Sequence, residues 1–139
     1  TTLYVSWGTF SPVRENDISL HKMHSEKYIL ENDAAEIINS GRSKGRRIIS
    51  VGTTALRVLE STYHEGRNQP GEGNTDIFIY PPYKIKSADA LFTNLHTPGS
   101  TLLMLVAAFA GYDSIMNAYA EAVKERYMFF SYGDAMFII

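Results

Sequence analysis

From Asp76 onward the chain offers short apolar runs that each end on polar or reactive side chains. The first is Asp76-Ile-Phe-Ile-Tyr80, stopped by Pro81-Pro82. The second is Ala90-Leu-Phe-Thr-Asn94-Leu-His96, followed by Thr97-Pro-Gly-Ser100-Thr101 and the apolar Leu102-Leu103-Met104-Leu105. Runs this short are strand-sized, and the proline pair forbids joining them into one element. The segment must therefore fold as strand, break, strand, turn and helix. Asp76, Asn94, His96, Ser100 and Thr101 fall at the ends of those elements, where α/β proteins build their sites.

The rest of the chain repeats the alternation. Residues 2–6 and Lys27–Leu30 read as strands. Asn32 or Asp33 caps a helix with Ala34, Ile37 and Ile38 inward, closed by Gly41 and Gly45. Arg47–Val51, bounded by Gly52, has the pattern of a buried strand. A helix from Thr53 or Thr54 turns Leu56, Val58 and Leu59 inward, with Arg57 and Glu60 read most simply as surface charges. Residues 63–75, rich in Gly and Asn, read as a mobile loop. Helices are predicted at about 100–110 and 114–126, then a last strand at Tyr127–Ser131 and a turn at Tyr132-Gly133-Asp134. Strands alternating with helices predict an α/β fold: a mostly parallel sheet with helices on both faces, a three-layer sandwich.

At 139 residues and 45% hydrophobic content the chain is sized for one domain with a real core. Thirteen Lys and Arg against fifteen Asp and Glu leave a net charge of −2, without the basic excess usual in a nucleic-acid binder. A local basic run, Arg42, Lys44, Arg46 and Arg47, is either a solvated loop or a landing strip for phosphates. The absence of cysteine excludes a disulfide framework and a thiolate metal site. With no signal-peptide pattern, a cytoplasmic location is expected. The apolar stretch Leu102–Gly111 is far short of the roughly 20 residues that span a bilayer, so no membrane partner is expected. The chain starts on Thr1 without Met and ends on Phe137-Ile138-Ile139, which suggests a piece of a longer protein.

Gly52-Thr53-Thr54 sets hydroxyls and backbone N–H groups at a helix start, suited to a carboxylate, a phosphate or ribose hydroxyls, or simply to capping. It lacks the lysine of a P-loop. His21, His24 and Glu26 lack the spacing of a zinc motif, and no metal is expected. His24 or Glu26 suits proton transfer or ribose binding. Asn94-x-His96 with Ser100-Thr101 brings several hydrogen-bonding groups to one strand-to-helix turn. Tyr80, Tyr83 and Tyr132 can stack on bases or merely pack. Asp76 and Asp134 are acids or hydroxyl binders, and Asp134 equally suits a turn.

Six strings occur in order. They are Gly8-Thr9-Phe10-x-Pro12-Val13, Met23-His24-Ser25-Glu26-x-Tyr28 and Val51-Gly52-Thr53-Thr54-x-x-Arg57-x-Leu59-Glu60-Ser61, then Thr75-Asp76-Ile77-Phe78-Ile79-Tyr80-Pro81, Thr93-Asn94-x-His96-x-Pro98-x-Ser100-Thr101 and Phe130-Ser131-Tyr132-Gly133-Asp134-Ala135-Met136. Together they closely resemble the carboxyl-terminal part of the S-adenosylmethionine:tRNA ribosyltransferase-isomerases of queuosine biosynthesis. Trp7 and Leu95 depart from the family's usual residues without removing a functional group.

The resemblance implies a tRNA-modifying enzyme using S-adenosylmethionine as a ribosyl donor. Its ribosyl part passes to 7-aminomethyl-7-deazaguanine at the tRNA wobble position and rearranges to epoxyqueuosine, with loss of adenine and methionine. It also implies that residues 1–139 are the later part of an α/β domain, with an inserted β-barrel and the amino-terminal motifs lying elsewhere. Mapped onto that reaction, His24, Glu26, Asp76 and His96 become the proton-transfer residues. Gly52, Thr53, Thr54, Arg57, Tyr80, Asn94, Ser100, Thr101, Tyr132 and Asp134 become substrate-binding residues, with Arg57 and the basic run meeting tRNA phosphates. A half-domain of this kind is expected to expose apolar surface and self-associate. The competing readings are a non-catalytic α/β fragment and a small-molecule binding module built on the Gly-Thr-Thr turn.

Overall fold

The structure, a computed structural model, describes residues 1–5, 13, 17–131 and 133–139. Tyr132 and the Gly8-Thr9-Phe10-x-Pro12 string lie outside the described residues. The elements run β1 (Thr2–Leu3), β2 (Glu26–Leu30), α1 (Asn32–Ser43), β3 (Ile49–Val51), α2 (Thr53–Thr62), β4 (Tyr63–His64), β5 (Arg67–Asn68), β6 (Gly71–Thr75), β7 (Ala90–Asn94), α3 (Thr101–Ala110), α4 (Tyr112–Lys124) and β8 (Ala135–Ile138), with a short 3-10 turn at Ile18–Leu20.

The fold is mixed α/β, but the expected mostly parallel three-layer sandwich is not what forms. Among the described residues there are two three-stranded sheets, ordered β1-β2-β6 and β3-β7-β8, and a small β4-β5 hairpin. Only β3 and β7 pair in parallel; every other pair is antiparallel. The main reason is the stretch 63–75, read from its composition as a loop. It forms β4, β5 and β6, and all five residues of β6 pair with β2. Gly73 fits there because it carries no side chain: a Cβ would sit 2.8 Å from the hydroxyl of its cross-strand partner Tyr28. An aromatic residue thus covers the glycine that weakens the strand.

Two further strands fall elsewhere than expected. Ile77–Tyr80 joins none of the described sheets; Ile79 enters the core, and the Phe78 ring packs against Tyr80 at 4.6 Å and His21 at 5.1 Å. Tyr127–Ser131 is a loop, and β8 begins only at Ala135, antiparallel to β7. On α1 the inward residues are Ala34, Ala35 and Ile38, while Ile37 is 73% exposed. No described single helix is long and apolar enough to cross a membrane; α3 and α4 pass that test only as a pair bent by 116° at Gly111.

Helix α2 lies between the two sheets and belongs to both cores. Leu56 joins Ile79, Leu91, Leu95, Leu105, Val106, Ile115, Tyr119 and Ile138, while Val58 joins Leu30 and Ala35. Because α2 is enclosed, Arg57 and Glu60 are buried, whereas the sequence reads them most simply as surface charges. Arg57 Nη1 donates to the equally buried Glu26 carboxylate on β2. Glu60 accepts from the Tyr83 hydroxyl at 2.7 Å, the Lys86 N–H at 2.9 Å, the Ser87 N–H at 2.7 Å and the Ser87 hydroxyl at 2.5 Å. Burial, and then the Glu60 carboxylate, hold the Tyr83 hydroxyl protonated well above its ordinary range.

Helices cover one face of β3-β7-β8. On the other face Val51, Phe92 and Phe137 lie side by side in register, and all three are exposed together with Ile49. A half-buried sheet replaces the fully buried β3 expected from its apolar run.

Removing one partner of a buried ion pair strands the other charge, at a cost of about 3–5 kcal/mol. Glu26→Ala should therefore lower the unfolding free energy by about that much in urea titration. The double variant Glu26→Leu/Arg57→Met should lose far less, since no charge is left uncompensated.

Candidate functional site

The parallel pair β3-β7 creates one end where two strands stop and two helices start. Gly52 follows β3 with φ 87° and donates its N–H to the Phe92 carbonyl at 2.7 Å. Only glycine adopts that conformation without strain. No side chain caps α2, so its first-turn N–H groups, beside the Thr53 and Thr54 hydroxyls, carry the partial positive charge of the helix start. At the end of β7, Thr93, Asn94, His96 and Thr97 follow in sequence. These residues, with Ser100, Leu102, Phe130 and Ser131, line a cavity of about 500 Å³. That is within the range of small-molecule sites. Among the described lining residues there is no Asp, Glu, Lys or Arg.

His96 is fixed from two sides. Its backbone N–H donates to the Tyr119 hydroxyl at 2.8 Å, and its Nε2 lies 3.0 Å from the Thr93 hydroxyl. Burial pushes its pKa down to about 4. The imidazole is therefore neutral near pH 7 and acts through one N–H and one lone pair. Ser100 caps α3: its hydroxyl accepts from the Leu103 N–H at 3.1 Å and donates to the Thr97 carbonyl at 2.8 Å. Its hydrogen bonds are spent on the turn.

The far wall is formed by Phe130 and Ser131. Asp134 braces it: Oδ2 accepts from the Met128 N–H at 2.8 Å, and the Asp134 N–H donates to the Met128 carbonyl at 2.8 Å. The Phe130 N–H reaches the Leu95 carbonyl at 3.2 Å, joining the loop to the end of β7. Gly133 admits no side chain, since a Cβ would lie 2.4 Å from the Met128 carbonyl oxygen. One carboxylate oxygen of Asp134 thus does turn work.

Of the residues singled out in the sequence, Gly52, Thr53, Thr54, Asn94, His96 and Ser100 meet at this cavity. The other described ones lie outside its lining. Glu26 and Thr75 face each other at one end of the β2-β6 pair, so the exposed His24 and Asp76 flank that end. Glu26 itself is buried on Arg57. A second cavity of about 10 Å³, room for one water, lies between Arg57, the 77–79 segment and the start of α3 at Thr101. Arg57 Nε and Nη2 are buried and have no hydrogen-bond partner among the described residues. At 3% exposure Arg57 is not placed to meet tRNA phosphates. Leu102 lines both cavities. Tyr80 packs on Phe78.

In the basic run, Arg42 is committed internally. It donates to Asn68 Oδ1 at 3.1 Å and the Ser87 carbonyl at 2.9 Å, and it lies 4.8 Å from the Tyr63 ring centroid. Lys44, Arg46 and Arg47 are exposed just before β3, at the opposite end of the parallel pair from the larger cavity. Among the described residues no group of three His, Cys, Asp or Glu is arranged to hold a metal ion.

Sequence reasoning missed Thr93, Leu95, Thr97, Leu102, Phe130 and Ser131 as lining residues. Thr93 was legible as the neighbour of Asn94 on β7. Phe130 and Ser131 were hidden by reading their segment as a strand.

The family model of the queuosine biosynthesis proteins matches residues 1–138, and the chain belongs to that family. A relative from Carboxydothermus hydrogenoformans, named S-adenosylmethionine:tRNA ribosyltransferase-isomerase, is 55% identical over 99% of this chain and 40% of its own length. One of the same name from Symbiobacterium thermophilum is 58% identical over 99% of this chain and 41% of its own. The crystal structure of S-adenosylmethionine tRNA ribosyltransferase from Thermotoga maritima superposes with a TM-score of 0.78, at 52% identity over 82% of this chain and 40% of that one. The chain thus spans about two fifths of the length of these relatives.

Because the unfolded imidazole titrates near 6.5 and the folded one near 4, the unfolded state gains the proton first as pH falls. The stability that His96 contributes is complete above about 6.5 and is lost between about 6.5 and 4. In thermal melts the difference between wild type and His96→Gln should be constant above that window. It should move in the variant's favour within it.

Proposed function

We propose that this chain is the carboxyl-terminal part of the α/β domain of an S-adenosylmethionine:tRNA ribosyltransferase-isomerase, and that it forms one wall of the ribosyl-transfer pocket. The substrates are S-adenosylmethionine and tRNA carrying 7-aminomethyl-7-deazaguanine at the wobble position; the product is epoxyqueuosine, with adenine and methionine released. The observation that carries this reading is the cavity where Gly52-Thr53-Thr54 and Asn94-x-His96 converge beyond the parallel pair. Family membership supplies the reaction class.

In this reading the uncapped start of α2 and the Thr53 and Thr54 hydroxyls hold the methionine carboxylate or the ribose hydroxyls. Neutral His96 accepts a proton or a hydrogen bond in the pocket; it does not deliver one from an imidazolium. His24 and Asp76, exposed at the end of β2-β6, are left as the carriers of protons arriving from solvent. Glu26 holds Arg57. Lys44, Arg46 and Arg47 meet tRNA phosphates away from the pocket. No metal is required, and the enzyme works in the cytoplasm.

The full-length protein, given S-adenosylmethionine and precursor tRNA, should release adenine. Thr53→Val and His96→Ala should each cut the rate about tenfold or more. Unchanged rates in both would remove this cavity from the mechanism. The 139-residue chain alone should bind tRNA weakly and turn over little, and robust adenine release from it would overturn that expectation.

The bare face of β3-β7-β8 carries a second part of the proposal. Four exposed apolar side chains on one sheet face are an association surface. The isolated chain should self-associate in light scattering, and Phe92→Lys should shift it towards monomer. A monodisperse wild-type monomer at high concentration would refute this.

A further inference from the structure

Phe130 occupies a conformation that a bulky aromatic residue rarely adopts, with φ 71°. Such strain persists only where the surroundings over-determine it. Here they do: the Phe130 N–H is held by the Leu95 carbonyl at 3.2 Å, its carbonyl accepts from the Gly133 N–H at 2.9 Å, and Asp134 closes the loop onto Met128. Nothing apolar repays the strain, for Phe130 is 64% exposed. Three sets of bonds therefore fix the backbone of a residue whose ring lines the 500 Å³ cavity together with the polar ends of β7 and α2.

The chemistry of the other walls narrows what the ring meets. The described lining residues offer hydroxyls, the Asn94 amide and a neutral imidazole, with no formal charge. Beyond the α2 start, which suits a carboxylate or ribose hydroxyls, a charged group has no side-chain counter-ion among the described lining residues. A flat, uncharged heterocycle finds a π-face on one side and both donors and acceptors at its edge.

We propose that Phe130 is the stacking platform for the purine base of the nucleoside ligand, held ready by the Leu95 and Gly133 hydrogen bonds. This rests on the pocket proposed above and assigns one part of it. Phe130 touches the base; Asp134 and Gly133 act through it as positioning residues.

The test is adenosine binding to the full-length protein by calorimetry. Stacking on an aromatic side chain accounts for about tenfold or more in affinity per base. Phe130→Ala should weaken adenosine about tenfold, and Phe130→Tyr and Phe130→Trp should stay within about threefold of wild type. Phe130→Gly separates ring from backbone, because glycine accepts the positive φ without strain and the variant should melt no lower than wild type. A stacking role requires Phe130→Gly to bind as poorly as Phe130→Ala. Wild-type affinity in the Ala or Gly variant overturns the assignment while leaving the pocket in place. Tyr and Trp variants as weak as Ala also overturn it. A wild-type protein that binds neither adenosine nor S-adenosylmethionine overturns both this inference and the proposed function.

Discussion

Helix α2 has to bury two opposite charges between two cores, and the way it does so organises the molecule. Arg57 is answered from β2 by Glu26, which ties the helix to the first sheet. Glu60, one turn later, gathers Tyr83, Lys86 and Ser87, which ties the same helix to the segment leading into β7. A buried charge with one partner removed is far costlier than a lost surface pair. Each sheet is therefore held at a fixed station along one helix by interactions that cannot slip by a residue.

That anchoring sets the larger cavity. Its floor is the start of α2, and its roof is the end of β7; both are attached to the charged middle of α2. Apolar packing alone would permit small shifts of β7 against the helix, since such contacts are non-directional. Four directed hydrogen bonds to one carboxylate do not. The separation between the Gly52 turn and His96 is thus inherited from chemistry one turn or more away, at residues outside the cavity's lining.

The local features of the fold were legible where a residue's type dictates its backbone. Gly52 as the end of β3, the start of α2 at Thr53 and the extent of α3 follow from propensity and capping rules. So did the gathering of Gly52, Asn94 and His96, because strand ends in parallel pairs converge. The rest was not local. β6 looks like a loop in isolation and becomes a strand because β2 supplies a partner and Tyr28 covers Gly73. Arg57 and Glu60 look like surface residues because no pattern along one helix announces a second sheet behind it. The 127–131 segment has strand composition, yet the bonds of Asp134 fold it into a wall.

Gly133 bears on how such a site can change over evolutionary time. The atoms that exclude a Cβ there are backbone atoms of Met128 and Phe129, which cannot rotate aside as a side chain would. The wall is consequently rigid in shape but open in composition. Its curvature is fixed by a position that accepts one residue, while the Phe130 and Ser131 side chains line the cavity without entering the backbone contacts at Gly133. Lineages and protein engineers alike can retune what the pocket holds by exchanging those two surfaces, and can hardly do so by reshaping the loop.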